Sequence, residues 1–272
     1  NLYVKNRRQA VERGRELGLL DSDKKRVSTS QTNLPPERTP FVGRSDELTE
    51  IGQQLVETRL LSLIGPGGIG KTRLALKAAE GLIDDFADGI FFVRLAPIRS
   101  VKDIVQTIAE GLKFPIATHE DPQHQLLRYL RKRELLLVMD NFEHLLDGVG
   151  IVSEILQTAP GVKVLATSRE RLNLQSETIL HVGGMDFPDQ MILEDAQTYD
   201  AITLFMQSAN KVRPGFDPSL EEVGGIAGVC QLVGGMPLAI ELAAAWLHIL
   251  NVDEIGDELG KDLDILATEV RD

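Results

Sequence analysis

Five short apolar segments, separated by stretches with helical periodicity, are the feature that most constrains the fold of this 272-residue chain. Several of these segments are apolar at consecutive positions, as expected of strands that are buried on both faces. Strands that alternate with helices predict βαβ units, and therefore an α/β fold with a parallel sheet flanked by helices on both sides. The predicted strands are Leu60–Ile64, Ile90–Leu95, Leu135–Met139, Val162–Ala166 and Thr178–Val182.

The pattern divides the chain into four segments. The first, residues 1–20, includes a short helix over 6–18, and the second, residues 21–40, is a polar linker that contains Pro35–Pro36. An amphipathic helix over Asp46–Thr58 and the five strands belong to an α/β domain over 41–188. Residues 189–272 form a small all-α domain, because no strand pattern follows Val182 and helices are indicated near 195–210, 218–233 and 237–250.

Composition narrows the classes of function. The single cysteine, Cys230, excludes an intrachain disulfide framework and fits a reducing compartment. The longest near-apolar stretch, Leu238–Leu250, is too short to cross a bilayer. We therefore expect a soluble, cytoplasmic protein that does not engage membranes.

The net charge of −12 is unevenly distributed. Residues 1–44 carry ten Lys/Arg against five Asp/Glu, whereas residues 189–272 carry four against sixteen. Nucleic-acid affinity comes largely from neutralised phosphates, so the acidic body argues against nucleic-acid binding outside the first 44 residues.

A glycine-rich segment, Gly65–Thr72, matches the phosphate-loop pattern GxxxxGK[ST] and lies between a predicted strand and a predicted helix, as that motif requires. Its glycines allow backbone N–H groups to wrap a phosphate, and the following helix N-terminus favours negative charge. The lysine of the pattern reaches the β- and γ-phosphates, and the hydroxyl residue binds Mg²⁺. The candidate residues are Gly65, Gly67, Gly68, Ile69, Gly70, Lys71, Thr72 and the adjacent Arg73.

Two further strands end in polar residues. The third ends at Asp140, which in this architecture holds Mg²⁺, so Thr72 and Asp140 are the predicted metal ligands. The fourth runs into Thr167, Ser168 and Arg169 at the edge of the sheet that faces ligands in open α/β folds. Thr167 or Ser168 is a candidate sensor of the γ-phosphate. Arg169 is a candidate to pair with the charge of that phosphate.

With these motifs in order, the sequence resembles the signal-transducing STAND branch of P-loop NTPases, an AAA+-like group, and in particular its NB-ARC type. The resemblance covers residues 38 to about 250. It rests on Thr39–Arg44, Gly65–Thr72, Leu136–Leu146, Ala166–Arg169 and Gly235–Ala239.

The resemblance implies a nucleotide-binding domain followed by a helical lid, with ATP or ADP and Mg²⁺ as ligands. It implies that Phe41, Val42, Gly43 and Arg44 lie against the adenine and ribose, and that Pro237 closes over the base from the other side. The first twenty residues also resemble the closing helix of a LuxR-type helix-turn-helix domain. The family architecture continues into a winged-helix domain and a sensor domain, so we expect this chain to be part of a longer protein.

Two hypotheses of function follow. The first is a nucleotide-dependent switch in a transcription-regulating protein that self-associates when ATP is bound and contacts DNA only through a domain outside this chain. The alternative is a small-molecule kinase or another metabolic ATPase, which would need charged residues for a second substrate. Residues 189–272 supply only four cations for such a substrate.

The residue after Asp140 bears on hydrolysis. P-loop ATPases usually place a glutamate there, whereas this chain has Asn141, a far weaker base. Glu143 approaches the γ-phosphate only if the chain turns tightly after the strand, and a role in starting the helix is an equal alternative. With Lys71, Asp140, Glu143 and Arg169 as the candidate catalytic residues, the sequence predicts slow, switch-like hydrolysis.

Overall fold

A computed structural model describes residues 31–188 and 196–261. Within these ranges the strands are β1 (Leu60–Ile64), β2 (Gly89–Arg94), β3 (Leu135–Asp140), β4 (Lys163–Ser168) and β5 (Glu177–His181). The helices are α1 (Ser45–Glu57), α2 (Lys71–Gly81), α3 (Ile104–Gly111), α4 (Pro122–Leu130), α5 (Gly150–Thr158), α6 (Asp200–Val212), α7 (Leu220–Leu232), α8 (Pro237–Ala245) and α9 (Val252–Lys261). The predicted helix over 6–18 and most of the predicted linker lie outside the described residues.

The strands of the described part form one parallel sheet in the order β2-β3-β4-β1-β5. Each predicted strand is present within one or two residues of its predicted bounds, which confirms the α/β parallel-sheet fold class. Because all strands run the same way, their carboxyl ends meet at one edge of the sheet. Gly65, which follows β1, donates its N–H to Ser168 O at the end of β4 (3.4 Å), so these two ends are directly joined.

Burial of the central strands on both faces explains their consecutive apolar residues. In β3, Leu135, Leu137 and Met139 pack in a core with residues of α3, α4 and α5. Leu136 and Val138 point the other way and are equally buried, on the face that carries α2. Alternation along a strand therefore places apolar side chains against a helical layer on each side.

The described residues separate into two compact units. The first unit comprises 31–38, 46–65 and 71–181, and holds the sheet with α1 to α5. The second unit comprises 39–45, 66–70, 182–188 and 196–261, and holds α6 to α9. The tip of the glycine-rich segment thus belongs to the second unit, while its two ends belong to the first. The predicted division at residue 188 stays a prediction.

The second unit is a helical bundle in which α6 packs on α8 and α7 packs on α9. A capping box starts α7: the Ser219 side chain accepts from Glu222 N, and the Glu222 carboxylate accepts from Ser219 N. Pro237 starts α8, as predicted, at a position where the missing N–H costs nothing.

The sequence interpretation missed α9. The helix start has a local signal, because Asn251 Oδ1 accepts from Glu254 N (2.9 Å) and Glu254 Oε2 accepts from Asn251 N (2.8 Å). An asparagine followed three residues later by a glutamate is a helix-start pattern.

Candidate functional site

Asp140 lies at the carboxyl end of β3, where two hydroxyl groups converge on one of its oxygens. Thr72 Oγ1, in the first turn of α2, donates to Asp140 Oδ1 (2.6 Å), and Thr167 Oγ1, at the end of β4, donates to the same oxygen (2.7 Å). Asp140 is only 7% exposed. The structure therefore brings the two predicted metal ligands, Thr72 and Asp140, into direct contact.

The residue after this aspartate takes a backbone conformation that L-residues seldom adopt. Asn141 has φ 67° and ψ 56°, the left-handed region that asparagine tolerates better than most side chains. Its N–H donates to Thr167 Oγ1 (3.0 Å), so that hydroxyl accepts from Asn141 while it donates to Asp140. The sequence predicts that Thr167 or Ser168 senses a γ-phosphate, and this stays a prediction; in the structure the Thr167 hydroxyl donates to the aspartate.

Glu143 and Arg169 form an ion pair beside Asp140. Arg169 Nε lies 3.2 Å from Glu143 Oε1, with the arginine side chain 63% exposed and the glutamate largely buried. Glu143 Oε2 is buried and has no hydrogen-bond partner within the described residues. A buried carboxylate oxygen without a donor is costly, so this atom is a candidate acceptor for a water or a ligand group.

Lys71 starts α2 and is 9% exposed. Its Nζ donates to Gly65 O (2.7 Å) across the two ends of the glycine-rich segment. Burial lowers the pKa of Lys71 from its usual 10.5; Glu143 and Asp140 oppose that shift, and Arg169 adds to it. An anionic ligand beside Lys71 would favour its charged form.

The tip of the glycine-rich segment lies among residues of the second unit. Gly68 and Gly70 have φ 77° and 91°, a region open to glycine with little steric penalty. Gly68 O accepts from Leu238 N at the start of α8 (3.2 Å), and a Cβ built on Gly70 would lie 3.8 Å from Pro237 Cγ. The predicted loop residues and Pro237 are therefore neighbours.

Arg44 is almost fully buried in the second unit, at 5% exposure. Its guanidinium donates from Nη2 to Ile69 O (3.1 Å) and to Gly183 O (2.9 Å), and its backbone N–H donates to Asp200 Oδ2 (2.9 Å). Its φ of 58° is left-handed, which costs roughly 1–2 kcal/mol for an L-residue. A contact of Arg44 with adenine or ribose stays a prediction.

The predicted site residues fall into two groups, one in each unit. The first unit holds Gly65, Lys71, Thr72, Arg73, Asp140, Glu143 and Arg169. The second holds Phe41, Val42, Gly43, Arg44, Gly67, Gly68, Ile69, Gly70 and Pro237. Nucleotide contacts of Phe41, Val42 and Arg73 stay predictions. Sequence reasoning missed Asp200, which has no motif of its own.

The residues present fit a magnesium–phosphate ligand. Mg²⁺ typically takes one or two protein oxygens and completes its shell with water and phosphates, which matches a single carboxylate beside a threonine hydroxyl. Within the described residues no group of three or more His, Cys, Asp or Glu side chains is placed to hold a metal by itself. The donor set suits an ion that arrives with a nucleotide.

Comparison with known proteins identifies the family. The NB-ARC domain model matches residues 44–210, which is more than half of the chain. The chain belongs to the NB-ARC family. This match confirms the NB-ARC, STAND-class resemblance that the five motifs indicated.

Among its relatives, this NB-ARC chain is 35% identical over 218 residues to a Mycobacterium tuberculosis protein named as a transcriptional regulator of the HTH type, Rv0890c. The alignment covers 80% of this chain and 23% of the relative. The chain therefore spans about a quarter of the length of that relative.

Solved structures share the fold at low sequence identity. The Drosophila origin recognition complex bound to DNA matches with a TM-score of 0.54 and 14% identity, covering 85% of this chain and 70% of that chain. The Aeropyrum pernix ORC2 protein, in ADPNP and ADP complexes, matches with a TM-score of 0.51 and 14% identity, covering 84% and 71%. These likenesses confirm the P-loop NTPase fold.

In the part of the chain that the structure describes, no helix is both long and apolar enough to cross a lipid bilayer.

Proposed function

We propose that this NB-ARC chain is an adenine-nucleotide-binding switch that takes ADP or ATP with Mg²⁺ on the segment 65–72 and hydrolyses ATP slowly. The observation that carries the proposal is the convergence of Thr72 and Thr167 on Asp140 Oδ1 at the end of β3. Hydrogen bonds from both hydroxyls fix the orientation of the carboxylate, which a metal ligand needs.

The roles of the remaining residues follow from their surroundings. The Lys71 ammonium, buried beside two carboxylates, would contact the β- and γ-phosphates. Arg169, exposed but tied to Glu143, would turn to a γ-phosphate when one is present. Bound magnesium would supply charge neutralisation on the phosphates. Phe41, Val42, Gly43 and Pro237 remain our candidates for contacts with the base.

Slow hydrolysis is expected because no strong base follows Asp140. Asn141 directs its N–H to Thr167, and its amide side chain cannot take a proton from water at neutral pH. Among the described residues, Glu143 is the other carboxylate that acts on Lys71, and its Oε1 is engaged by Arg169. We therefore assign the cycle of ATP binding and hydrolysis to signalling, in which the identity of the bound nucleotide carries the information.

In a longer protein built like its relatives, this switch would act in transcription control. The relatives named as HTH-type regulators support that assignment, and the chain aligns with about a quarter of their length. We propose that self-association accompanies ATP binding and that DNA contact belongs to another part of the longer protein.

The test is to identify the nucleotide that co-purifies with the chain and then to measure steady-state ATP turnover. We expect ADP in the purified protein and turnover far below the roughly 10 s⁻¹ median of enzymes. Glu143→Gln should lower this turnover while leaving ADP affinity unchanged, because the carboxylate acts on the γ-phosphate side. Absence of nucleotide binding by the parent chain, or turnover at ordinary enzyme rates, would contradict the proposal.

A further inference from the structure

Two neighbouring carbonyl groups at the tip of the segment 65–72, which is part of the second unit, accept hydrogen bonds from other residues of that unit. Gly68 O accepts from Leu238 N (3.2 Å), and Ile69 O accepts from the Arg44 guanidinium (3.1 Å). The Leu238 N–H belongs to the first turn of α8, where backbone donors have no partner within the helix. Hydrogen bonds to the carbonyl oxygens therefore fix the orientation of two peptide units, Gly68–Ile69 and Ile69–Gly70.

The planarity of a trans peptide unit couples the direction of its N–H group to that of its carbonyl group. The C=O and N–H of one peptide unit point in opposite directions, so fixing the carbonyl also fixes the N–H. The bond to Gly68 O turns the Ile69 N–H away from Leu238, and the bond to Ile69 O turns the Gly70 N–H away from Arg44. Backbone N–H groups of this segment are the donors that a phosphate loop offers to phosphates.

Arg44 is itself held by further hydrogen bonds within the second unit. Its guanidinium also donates to Gly183 O (2.9 Å), and its backbone N–H donates to Asp200 Oδ2 (2.9 Å) at the start of α6. The carboxylate of Asp200 approaches so closely that a Cβ on Gly43 would overlap it, at 1.8 Å. Position 43 therefore requires glycine for two reasons. The Asp200 carboxylate leaves no room for a Cβ, and the backbone φ of 63° lies in the left-handed region.

We propose that Arg44 is a positioning residue for phosphate binding: anchored by Asp200 and Gly183, its guanidinium holds the Ile69–Gly70 peptide so that the Gly70 N–H faces the phosphates. The role rests on the proposed nucleotide function and differs from the base and ribose contact that the family resemblance implies for Arg44. A residue that orients phosphate donors affects every ligand that carries phosphates, whether or not it carries a base.

The experiment compares ADP with inorganic pyrophosphate, which has the phosphates and lacks the base. Both ligands displace a fluorescent ADP analogue from the parent chain and from Arg44→Met. We expect the dissociation constants of ADP and pyrophosphate to rise by a similar factor, about tenfold or more, as for loss of a hydrogen bond from a charged donor. Arg213→Met, the same substitution at an exposed arginine of the second unit, should change neither constant.

Arg44→Lys keeps the charge but has a single ammonium in place of the planar fork, and it covers the case in which the methionine variant does not fold. We expect an intermediate rise in both constants, with an unchanged circular dichroism spectrum. A rise for ADP alone would assign Arg44 to the base and overturn the inference, and so would parent-like affinity for both ligands. If the parent chain binds neither ligand, the nucleotide function itself fails.

Discussion

At the buried end of β3, one oxygen of Asp140 accepts hydrogen bonds from two hydroxyl groups, those of Thr72 and Thr167. Hydrogen bonds to the ionised form offset much of the cost of removing a carboxylate from water. The same bonds fix the direction in which the carboxylate presents its remaining acceptor sites. A small number of side chains from α2, β3 and β4 thus defines the candidate metal position.

The first prediction concerns the charge of that carboxylate. Asp140→Asn keeps the shape and an oxygen that can accept from both threonines, but it removes the charge that attracts Mg²⁺. We expect ADP affinity without magnesium to change little and the gain in affinity on adding magnesium to fall at least about tenfold. Calorimetric titrations with and without Mg²⁺ measure both quantities. Asp147→Asn, at an exposed aspartate seven residues further along the chain, is the matched control. If Asp140→Asn keeps the full gain in ADP affinity on adding magnesium, Asp140 is not a metal ligand.

The second prediction concerns the cost of burying Lys71. Its pKa is lowered by burial, so between the folded pKa and 10.5 the unfolded chain binds more protons than the folded chain. Stability contributed by this group therefore rises as pH increases through that window, and below it the charged lysine costs stability. Methionine has a similar length and no charge. We expect the nucleotide-free Lys71→Met protein to be at least as stable as the parent near neutral pH.

The same variant should lose the stabilisation that a ligand provides. A nucleotide at a hundredfold excess over its Kd should raise the free energy of unfolding of the parent by about 2.7 kcal/mol. Urea denaturation with and without Mg-ADP should show this gain in the parent and in Lys132→Met, an exposed control, and not in Lys71→Met. A Lys71→Met protein that is stabilised by Mg-ADP as strongly as the parent would show that the lysine does not contact phosphate.

At the scale of elements, the β2 edge of the sheet is covered by the chain that precedes α1. Thr32 bridges to Ile90, and the Asn33 side chain accepts from Phe92 N (2.6 Å) and donates to Phe92 O (2.9 Å) and Gly111 O (3.1 Å). One amide side chain therefore satisfies both backbone groups of an edge residue. Unpaired edge groups are templates for association with other chains, and this contact blocks that edge locally.

The third prediction follows from this contact. Asn33→Ala leaves the Phe92 N–H and C=O without their side-chain partner, which should lower the free energy of unfolding by about 1–3 kcal/mol. Asn33→Asp keeps the acceptor for Phe92 N and loses both donors, so an intermediate loss is expected. Urea denaturation measures these changes, and light scattering reports association through the opened edge. A loss below about 0.5 kcal/mol for Asn33→Ala, typical of surface changes, would show that the amide contributes little.

At the scale of the whole molecule, each of the two units has its own apolar core. Cys230 lies fully buried in the core of the second unit, among α6 to α9, and burial raises the pKa of its thiol to about 12. The reactive species is the thiolate, so this cysteine should be inert until the core opens. Its modification therefore reports the opening of the second unit.

The fourth prediction uses that property. Under mildly alkaline conditions a thiol reagent should modify the native chain slowly and the chain in concentrated guanidinium chloride at once. In our proposal ADP binds the folded second unit, to which residues 39–45 and 66–70 belong, so a hundredfold excess over Kd should slow labelling by about a hundredfold. Lys71→Met is the control in which ADP should have little effect. Equal labelling rates for native and denatured chains would contradict the burial of Cys230.

Local sequence was sufficient for the parts of this protein that depend on local rules. Five strands were predicted within one or two residues, because a strand buried on both faces reads as a short apolar run bounded by polar residues. The position of the loop between β1 and α2 and that of Asp140 at the end of β3 were predictable because the motif sets particular residue types at fixed spacing after a strand. The start of α9 carried a similar local signal, an asparagine followed by Glu254, and that signal was overlooked.

The remaining features depend on which distant segments pack together. Nothing near Arg44 in the sequence indicates that its backbone N–H is held by Asp200, 156 residues away, or that its guanidinium reaches Ile69. The strand order β2-β3-β4-β1-β5 and the hydroxyl of Thr167 on Asp140 are likewise set by packing in three dimensions. Periodicity reports whether a segment is helical or extended and which of its faces is apolar. Periodicity carries no information on which segment packs against that face. The free energy of the whole packed core decides that partner.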